Sequence, residues 1–460
     1  MSSETEQIKK IIPIVNEISP TFCLAKWHHT SIYLHTGQTH SCYHPRPHPI
    51  SVEEIKTNPS ALHNTLQKKK ERALMLVGEK PTGCQYCWNV ESLSDTHISD
   101  RMIRNASIFT SERINEIKNN AWNFDINPEY IEIAFSNECN FKCGYCHPMS
   151  SSSFASEIKQ FGPYETVQNH RLDINWFTAI EETDNPYIDA WWRWWPTMSR
   201  TLNILRLTGG EPLMHKSTWK LLDFLRNDPR PHLELNINSN LGTSTRFIDK
   251  LVDNVNDVIS NRKVKTFKLF SSMDTWGSKA EYLRTGLDIK LWEKNLDTYL
   301  TGTKLPISIM CTFNILSVTS FIDFLEKVLE WRTKYQPILN PDGYGRRIRF
   351  DTPYLKEPLQ YDMLILPKEE FLPYFDNILE FIKKNTDEHD PTKFTDMEFE
   401  KFRRVRDYFS TANYDESRIK EGRKDFYNWF TEYDRRRGTD FLKTFPEMQN
   451  FWNLCMQELQ

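Results

Sequence analysis

Between residues 124 and 360, short apolar segments alternate with stretches that have the spacing of amphipathic helices. Six segments predict strands, at residues 130–135, 202–207, 233–238, 266–271, 307–313 and 347–350. Helical spacing follows most of them, for example at 217–226 and 320–332. This alternation predicts parallel βα units in an α/β fold, either an open doubly wound sheet or a barrel. Both architectures place functional groups at the carboxyl ends of the strands.

The regions on either side of this βα pattern have different periodicities. In the 460-residue chain we predict an N-terminal α+β domain at 1–123, the βα domain at 124–360 and a helical C-terminal extension at 361–460. Residues 30–34 and 38–43 alternate like strands around a turn at Thr36 and Gly37, which predicts a hairpin. Helical spacing follows at 52–77. The charge run 434–437 is predicted to be a solvated helix end.

Composition narrows the classes of partner. The net charge of −4 with 26% charged residues is that of an ordinary globular protein, so we expect no nucleic-acid partner. The apolar runs are much shorter than the roughly 18 residues of a membrane span, so we expect no membrane partner. The N-terminus begins with acidic residues and contains Pro13, unlike a signal peptide, which predicts a cytoplasmic protein. Cysteine clusters in that compartment indicate metal or redox chemistry.

Directly after the first predicted strand, the sequence SNECNFKCGYCHP places Cys139, Cys143 and Cys146 in a C-x3-C-x2-C array. Three thiolates on one short loop are suited to a [4Fe–4S] cluster, because cysteine is the usual protein ligand of such clusters. They would hold three irons and leave the fourth open. Zinc sites usually repeat a C-x2-C pair and close at four ligands, which this loop does not offer.

This motif, with Tyr145 as the aromatic residue before its last cysteine, resembles the signature of radical S-adenosylmethionine (SAM) enzymes. A second element lies after the next strand, where Gly209, Gly210, Glu211 and Pro212 resemble the GGEP motif of that family. The resemblance implies that the amino and carboxylate groups of SAM chelate the open iron, and that the GGEP segment contacts the SAM amino group. Glycines suit this contact because they let the backbone approach a ligand closely.

Less specific matches follow in the order expected from the family. The third strand ends in polar residues that resemble the family's TNG region, which nominates Asn236, Ser239 and Asn240 for the nucleoside or the substrate. The segment 269–286 resembles its S-x-D-G and R-x-G stretch. This segment nominates Ser272, Asp274 and Arg284, and the end of the fifth strand adds Asn314. A role as a strand-end cap or turn residue fits each of these positions equally well.

The resemblance implies a partial (β/α)6 TIM-like barrel and a specific chemistry. A reduced cluster donates one electron to SAM, and the resulting 5′-deoxyadenosyl radical abstracts hydrogen from a substrate carbon. The cofactor supplies the difficult step, and the protein positions it. An electron donor such as flavodoxin or ferredoxin is implied as a partner. The aromatic run 189–196, in a long insertion between the two motifs, is expected to be core or a docking face, with contact to substrate as the less favoured alternative.

Four further cysteines precede the barrel. Cys23 and Cys42 flank the predicted hairpin, and Cys84 and Cys87 form a C-x2-C pair. Together these thiolates suffice for a second cluster. They resemble the auxiliary-cluster twitch module, a shortened relative of the SPASM domain, in a group of radical SAM proteins where this module precedes the barrel. The same four ligands also suit zinc, and the C-x2-C pair could form a redox-active dithiol.

Six histidines surround the first two of these cysteines, at positions 28, 29, 35, 40, 44 and 48. Because four cysteines already complete a site, we expect the histidines to support the ligands or to lie on the surface, rather than to bind metal themselves. Cys311, on the fifth predicted strand, and Cys455, near the C-terminus, are expected to be buried thiols.

The residues and the resemblance together predict a radical SAM enzyme with a second, auxiliary [4Fe–4S] cluster. Twitch and SPASM enzymes often act on peptides or proteins, so the resemblance favours a peptide or protein substrate. The alternative is a non-catalytic binding protein with a zinc-stabilised N-terminal module and a degenerate barrel. Iron and sulfide analysis distinguishes these two functions.

Overall fold

A computed structural model describes residues 3–92, 97–167, 179–180, 182–335, 337–340 and 343–459. This part of the chain forms a nine-stranded sheet with the order β11-β8-β7-β6-β5-β4-β1-β2-β3, and a two-stranded sheet of β9 and β10. The strands are β1 (His29–Tyr33), β2 (Gln38–His40), β3 (His48–Pro49), β4 (Tyr130–Ala134), β5 (Ile204–Thr208), β6 (Arg230–Asn238), β7 (Val264–Ser272), β8 (Ile307–Met310), β9 (Ile338–Asn340), β10 (Gly343–Gly345) and β11 (Ile348–Asp351).

Helices follow the strands of the large sheet and make up most of the C-terminal quarter of the chain. They are α1 (Ser3–Asn16), α2 (Ala25–His28), α3 (Val52–Thr57), α4 (Leu66–Leu76), α5 (Gln85–Glu91), α6 (Asp100–Ile108), α7 (Ser111–Asn119), α8 (Ser152–Phe161), α9 (Pro186–Met198), α10 (Lys216–Asn227), α11 (Thr245–Ser260), α12 (Ser278–Leu283), α13 (Ile289–Gly302), α14 (Phe321–Lys334), α15 (Lys368–Lys384), α16 (Asp396–Thr411), α17 (Glu416–Arg437), α18 (Phe441–Thr444) and α19 (Gln449–Gln457). No helix in the described residues is long and apolar enough to cross a membrane.

The six predicted βα strands are confirmed as β4, β5, β6, β7, β8 and β11, which pair in parallel in chain order. Their bounds differ from the predicted ones by a few residues. Side chains alternate between the two faces of each strand. Buried residues such as Ile131, Leu205 and Leu235 pack on one face, while Glu132 and Arg206, which are paired in register, lie on the other. The mixed α/β fold with a largely parallel sheet is consistent with a partial barrel.

The predicted N-terminal hairpin is also confirmed, since β1 pairs antiparallel with β2 across Gly37. It is not a separate sheet, because β1 also pairs in parallel with β4. The N-terminal residues therefore extend the large sheet across position 123, and the three domain ranges remain predictions. The helical stretch at 52–77 is divided into α3 and α4, with a short 3-10 turn at Pro59–Leu62 between them.

The aromatic helix α9 belongs to the core. Trp191 and Trp195 are fully buried, and the Tyr187 hydroxyl donates a hydrogen bond to the Ile50 carbonyl at 3.1 Å. Arg193 reaches the Ile55 carbonyl at 2.7 Å, so the helix packs the N-terminal segments against the sheet. The expectation of a core or docking face is therefore confirmed for this run.

The C-terminal region is helical, as predicted, but the interpretation of 434–437 as a solvated helix end is wrong for most of the run. The Arg437 side chain is buried and lies 3.0 Å from the Glu157 carboxylate. Its Nη1 donates to the Lys142 carbonyl at 2.7 Å, beside the cysteine loop. Asp434 accepts a hydrogen bond from Tyr282 at 2.9 Å. The end of α17 therefore packs against α8, α12 and the cysteine loop, because its charges have partners that lie far away in sequence.

Candidate active site

The loop with Cys139, Cys143 and Cys146 lies between β4 and α8, at the carboxyl edge of the parallel sheet. Backbone contacts hold it against the segment after α12: Lys142 N–H donates to the Thr285 carbonyl at 2.9 Å, and Gly144 N–H donates to the Leu283 carbonyl at 3.1 Å. The C-terminal region packs over the same loop, because a Cβ added at Gly144 would meet the Tyr361 hydroxyl at 2.0 Å.

A cavity of about 370 Å³ lies at this edge of the sheet. Most of the residues nominated from the sequence line it. They are Cys139, Cys143, Tyr145, Cys146, Gly209, Gly210, Ser239, Asn240, Ser272 and Arg284. The folding of consecutive βα units thus brings together side chains from four regions of the sequence, and they share one space that is large enough for a small ligand.

Burial raises the pKa of each of the three thiols, and the neighbouring cysteines add to this rise for Cys139 and Cys146. For Cys146 the pKa rises to about 12. The Arg284 guanidinium opposes the effect at Cys143, where Nη1 lies 3.8 Å from Sγ. Cys143 is buried, while Cys139 and Cys146 are partly buried. The Arg284 cation beside Cys143 favours the thiolate form, in which cysteine binds an iron–sulfur cluster.

Two glycines let the GGEP loop approach the cysteine loop. Gly209 has a φ of 91°, and a Cβ there would meet the Ser136 carbonyl oxygen at 2.5 Å. A Cβ at Gly210 would lie 2.1 Å from the Glu138 carbonyl oxygen. The backbone of Glu211 donates to this same carbonyl at 2.6 Å. The two motifs that resemble radical SAM enzymes are therefore in direct backbone contact.

We expect Gly210→Ala to lower the free energy of unfolding by about 1–3 kcal/mol, since the added methyl group overpacks a rigid backbone contact. SAM affinity should fall at least tenfold, because the loop must move away from the cysteines. Thermal denaturation and equilibrium dialysis with SAM measure the two effects. Gly83→Ala is the control, since its Cβ would meet Pro45 at an ordinary 3.4 Å. Equal behaviour of the two variants would contradict the close contact.

Glu211 is 1% exposed and joins two neighbouring loops. Its carboxylate accepts the backbone N–H of Asn240 at 2.6 Å and that of Leu213 at 3.1 Å. Burial raises its pKa from 4.5 to about 7, although these hydrogen bonds oppose the rise. The carboxylate therefore links the GGEP loop to the end of β6, and it does not line the cavity.

The raised pKa of Glu211 predicts a pH effect on stability. The ionised form is disfavoured in the folded state, so the stability that this group contributes is present below pH 4.5 and is lost as the pH rises to about 7. Between pH 5.5 and 8, the wild type should lose about 2 kcal/mol relative to Glu211→Gln. Guanidinium denaturation of both proteins at several pH values measures this difference. Parallel pH profiles would show that the pKa of Glu211 is not raised.

Asp274 is fully buried and is surrounded by protein donors. Its carboxylate accepts hydrogen bonds from the Tyr145 hydroxyl at 2.7 Å, Arg284 Nη2 at 2.9 Å and the Thr312 N–H at 2.8 Å. It therefore positions Tyr145 and Arg284, both of which line the cavity, and does not face the cavity itself.

Three other nominated residues lie away from the cavity lining. Asn236 is buried on the face of the sheet that also carries Arg206, with which it pairs in register. Its side-chain amide donates a hydrogen bond to the Glu234 carboxylate at 3.1 Å. Pro212 begins a 3-10 turn, and Asn314 donates to the Thr312 carbonyl at 2.8 Å within its own loop. The assignment of Asn236, Pro212 and Asp274 as cofactor-binding residues stays a prediction.

Glu132, Tyr33 and Asn238 also line the cavity and were not nominated from the sequence. Burial raises the pKa of Glu132, although Arg206 and nearby hydroxyls oppose the rise. Glu132 is partly buried, and a carboxyl group with a raised pKa in a ligand-sized cavity is a candidate for acid–base work. The signal in the sequence was a single glutamate at the centre of the apolar strand YIEIA.

The four N-terminal cysteines line one space, with Lys26, Arg101 and Arg104 beside them. Its free volume is about 20 Å³. Burial raises the pKa of all four, and the pKa of Cys23 reaches about 12 because Cys42 and Cys84 add to the effect of burial. The hairpin thus brings Cys23 and Cys42 to the C-x2-C pair. Lys26 and Arg101 are paired with Glu71 and Glu91, and Asp100 lines the same space.

The clustered histidines mostly bind protein atoms. His35 lies 2.9 Å from the Met149 carbonyl, and His48 lies 2.8 Å from the Thr65 hydroxyl. His44 stacks on Tyr86 and lies 2.7 Å from Asp100 beside the four-cysteine space. Among the described residues, no three His, Cys, Asp or Glu side chains are placed to hold a single metal ion. Cys311 and Cys455 are buried, as expected.

No protein-family model matches the chain. Over 177 residues it is 27% identical to GTP 3′,8-cyclase from Nautilia profundicola, a radical SAM enzyme. The match covers 36% of this chain and 48% of that protein, so the chain spans about half the length of this relative. The chain is therefore distantly similar, over part of its length, to a radical SAM enzyme.

Proposed function

We propose that this chain is a radical SAM enzyme with a second, auxiliary iron–sulfur cluster. The observation that carries the proposal is the cavity at the carboxyl edge of the parallel strands. There, three thiols line the same space as the backbone of Gly209 and Gly210. The distant similarity to a radical SAM enzyme supports the same chemistry.

When bound, a reduced [4Fe–4S] cluster and SAM would supply a 5′-deoxyadenosyl radical for hydrogen abstraction. Cys139, Cys143 and Cys146 would hold this cluster. The backbone at Gly209 and Gly210 would meet the SAM amino group, and Ser239, Asn240 and Ser272 offer polar groups to the nucleoside. Arg284 offsets negative charge at the thiolates.

The auxiliary site would use Cys23, Cys42, Cys84 and Cys87, in the arrangement of a twitch module. Lys26 lies at this site and forms an ion pair with Glu71 at 2.5 Å. A buried cation beside four thiols stabilises their ionised form, which iron–sulfur and zinc ligation both need. The proposed partners are a small flavodoxin or ferredoxin as electron donor and a peptide or protein as substrate.

Metal analysis after anaerobic purification tests both sites. We expect about eight irons and eight sulfides per chain, since each [4Fe–4S] cluster has four of each. Reduction with dithionite in the presence of SAM should then release 5′-deoxyadenosine. Four irons with one zinc would overturn the auxiliary cluster alone. Zinc without iron would overturn both assignments and favour a zinc-stabilised binding protein.

A further inference from the structure

A second cavity, of about 410 Å³, lies on the inner face of the sheet beside the cysteine cavity. It is lined by Phe270 of β7, Ser308 of β8, Arg349 and Asp351 of β11, and by Arg346 and Lys401. None of these residues belongs to the two proposed cluster sites. Polar groups on several adjacent strands make it a candidate site for the part of a substrate that does not react.

The charges in this cavity do not cancel. Lys401 forms an ion pair with Asp351 at 2.9 Å, and Glu398, which also lines the cavity, is neutralised by Arg332 at 2.6 Å. Within the described ranges, no carboxylate forms an ion pair with Arg346 or Arg349. Glu398, Glu388 and Asp390 act electrostatically on Arg346, so Arg349 is the main source of the excess positive charge in the cavity.

The two arginines differ in how much of each guanidinium is free. Arg346 donates to backbone carbonyls, from Nε to Lys393 at 2.9 Å and from Nη2 to Asp387 at 2.7 Å. Arg349 is exposed and uses its Nε for the Arg346 carbonyl at 3.3 Å. Among the described residues, its two terminal nitrogens form no hydrogen bond or ion pair with a carboxylate. Such a fork matches the two oxygens of a carboxylate or phosphate group.

The strand register fixes where this fork lies relative to the cysteine cavity. Arg349 pairs with Ser308, and Ser308 pairs with Phe270, so these three side chains share one face and one level. Ser272, two residues beyond Phe270 on the same face, lines the cysteine cavity. Arg349 and Ser272 are separated by two strand-to-strand spacings across the sheet and by two residues along the strand. Their Cα atoms therefore lie about 12 Å apart.

We propose that Arg349, supported by Arg346 and Ser308, binds an oxyanion of the substrate, either a carboxylate or a phosphate group. A substrate about 10 Å long would then extend from this fork to the cysteine cavity. The inference rests on the proposed function, because it assumes that the reaction takes place at the three cysteines. It narrows the substrate class to molecules or peptides that carry an anionic group at this distance from the reacting carbon.

The test uses the full chain, reconstituted anaerobically and without SAM. Inorganic phosphate and acetate are the probes, with chloride at equal ionic strength as the reference, and the rise in thermal midpoint with concentration gives each affinity. We expect one or both oxyanions to stabilise the wild type more than chloride does. Arg349→Met should weaken that binding at least tenfold, and Arg349→Lys should retain part of it. Tighter binding of phosphate than acetate would indicate a phosphate group, and the reverse a carboxylate.

Arg404→Met is the matched control, because Arg404 is exposed on α16 and does not line the cavity. Its oxyanion affinity should equal that of the wild type. Equal affinity in the wild type and Arg349→Met, or no advantage over chloride, would overturn the anion site. Iron content, and SAM cleavage in separate portions of the same preparations after addition of SAM and dithionite, separate the two proposals. Failure of SAM cleavage with anion binding intact would count against the proposed function and leave the site in place.

Discussion

Replacement of Cys143 by alanine is expected to remove about four irons per chain and to abolish the release of 5′-deoxyadenosine. Cys143 is the middle cysteine of the loop and is 8% exposed, with Arg284 at 3.8 Å from its sulfur. Two remaining thiolates cannot hold three irons, so the cluster should be lost rather than weakened. Iron and sulfide analysis and chromatography of the reduced SAM reaction measure the two effects.

Cys311→Ala is the matched control for this experiment. Cys311 is also a buried thiol, directly after β8, but it does not line the cysteine cavity. Its replacement should leave iron content and SAM cleavage unchanged. Cys84→Ala should also lose about four irons, yet retain SAM binding, because Cys84 belongs to the other proposed cluster site. Full SAM cleavage by Cys143→Ala would show that this loop does not hold the catalytic cluster.

The six βα strands were predictable because each has an apolar core of a few residues, such as Ile131 and Ile133 in β4. The cysteines follow β4 and the GGEP loop follows β5. Their location at the same edge of the sheet was therefore predictable, since parallel strands end at one edge. The hairpin was predictable from alternation around Gly37, whose φ of 65° suits glycine.

Other features depend on contacts that local patterns do not encode. The pairing of β1 with β4 joins segments about one hundred residues apart in sequence, and only the folded sheet shows it. Arg437 was misassigned to solvent because its partner, Glu157, is 280 residues away. A run of charged residues indicates exposure to solvent only when no distant residue of opposite charge can compensate the cost of burying it.

The roles of individual polar residues were the least predictable. Asp274 and Ser272 are two residues apart in one motif, yet Ser272 lines the cavity and Asp274 is fully buried behind it. Glu132 was not nominated from the sequence, because a single charged residue in a short apolar strand is also typical of a strand at the edge of a sheet. The structure shows instead that it lies on the inner face, in register with Arg206. Residue type narrows the chemistry, and the register of the strands decides which side chains meet.

Asp274 and Arg284 form a buried ion pair, and removing one of its two charges should lower the stability of the protein more than any other single change at the site. Arg284 Nε lies 2.9 Å from Oδ2 of Asp274, and both side chains are almost completely buried. Burial opposes the charge on Arg284, but Asp274 holds its pKa well above the usual range. Asp274→Asn leaves this guanidinium without its counter-ion, and we expect it to lower the free energy of unfolding by about 3–5 kcal/mol.

The same substitution should weaken SAM binding, because Asp274 also orients the Tyr145 hydroxyl and the Thr312 N–H. Guanidinium denaturation and equilibrium dialysis with SAM measure the two losses. Asp189→Asn breaks an exposed ion pair with Arg193 and should cost less than about 1 kcal/mol. The double variant Asp274→Asn/Arg284→Met should recover part of the lost stability, since it removes the unpaired charge. If Asp274→Asn cost no more than Asp189→Asn, this pair would not be what organises the cysteine cavity.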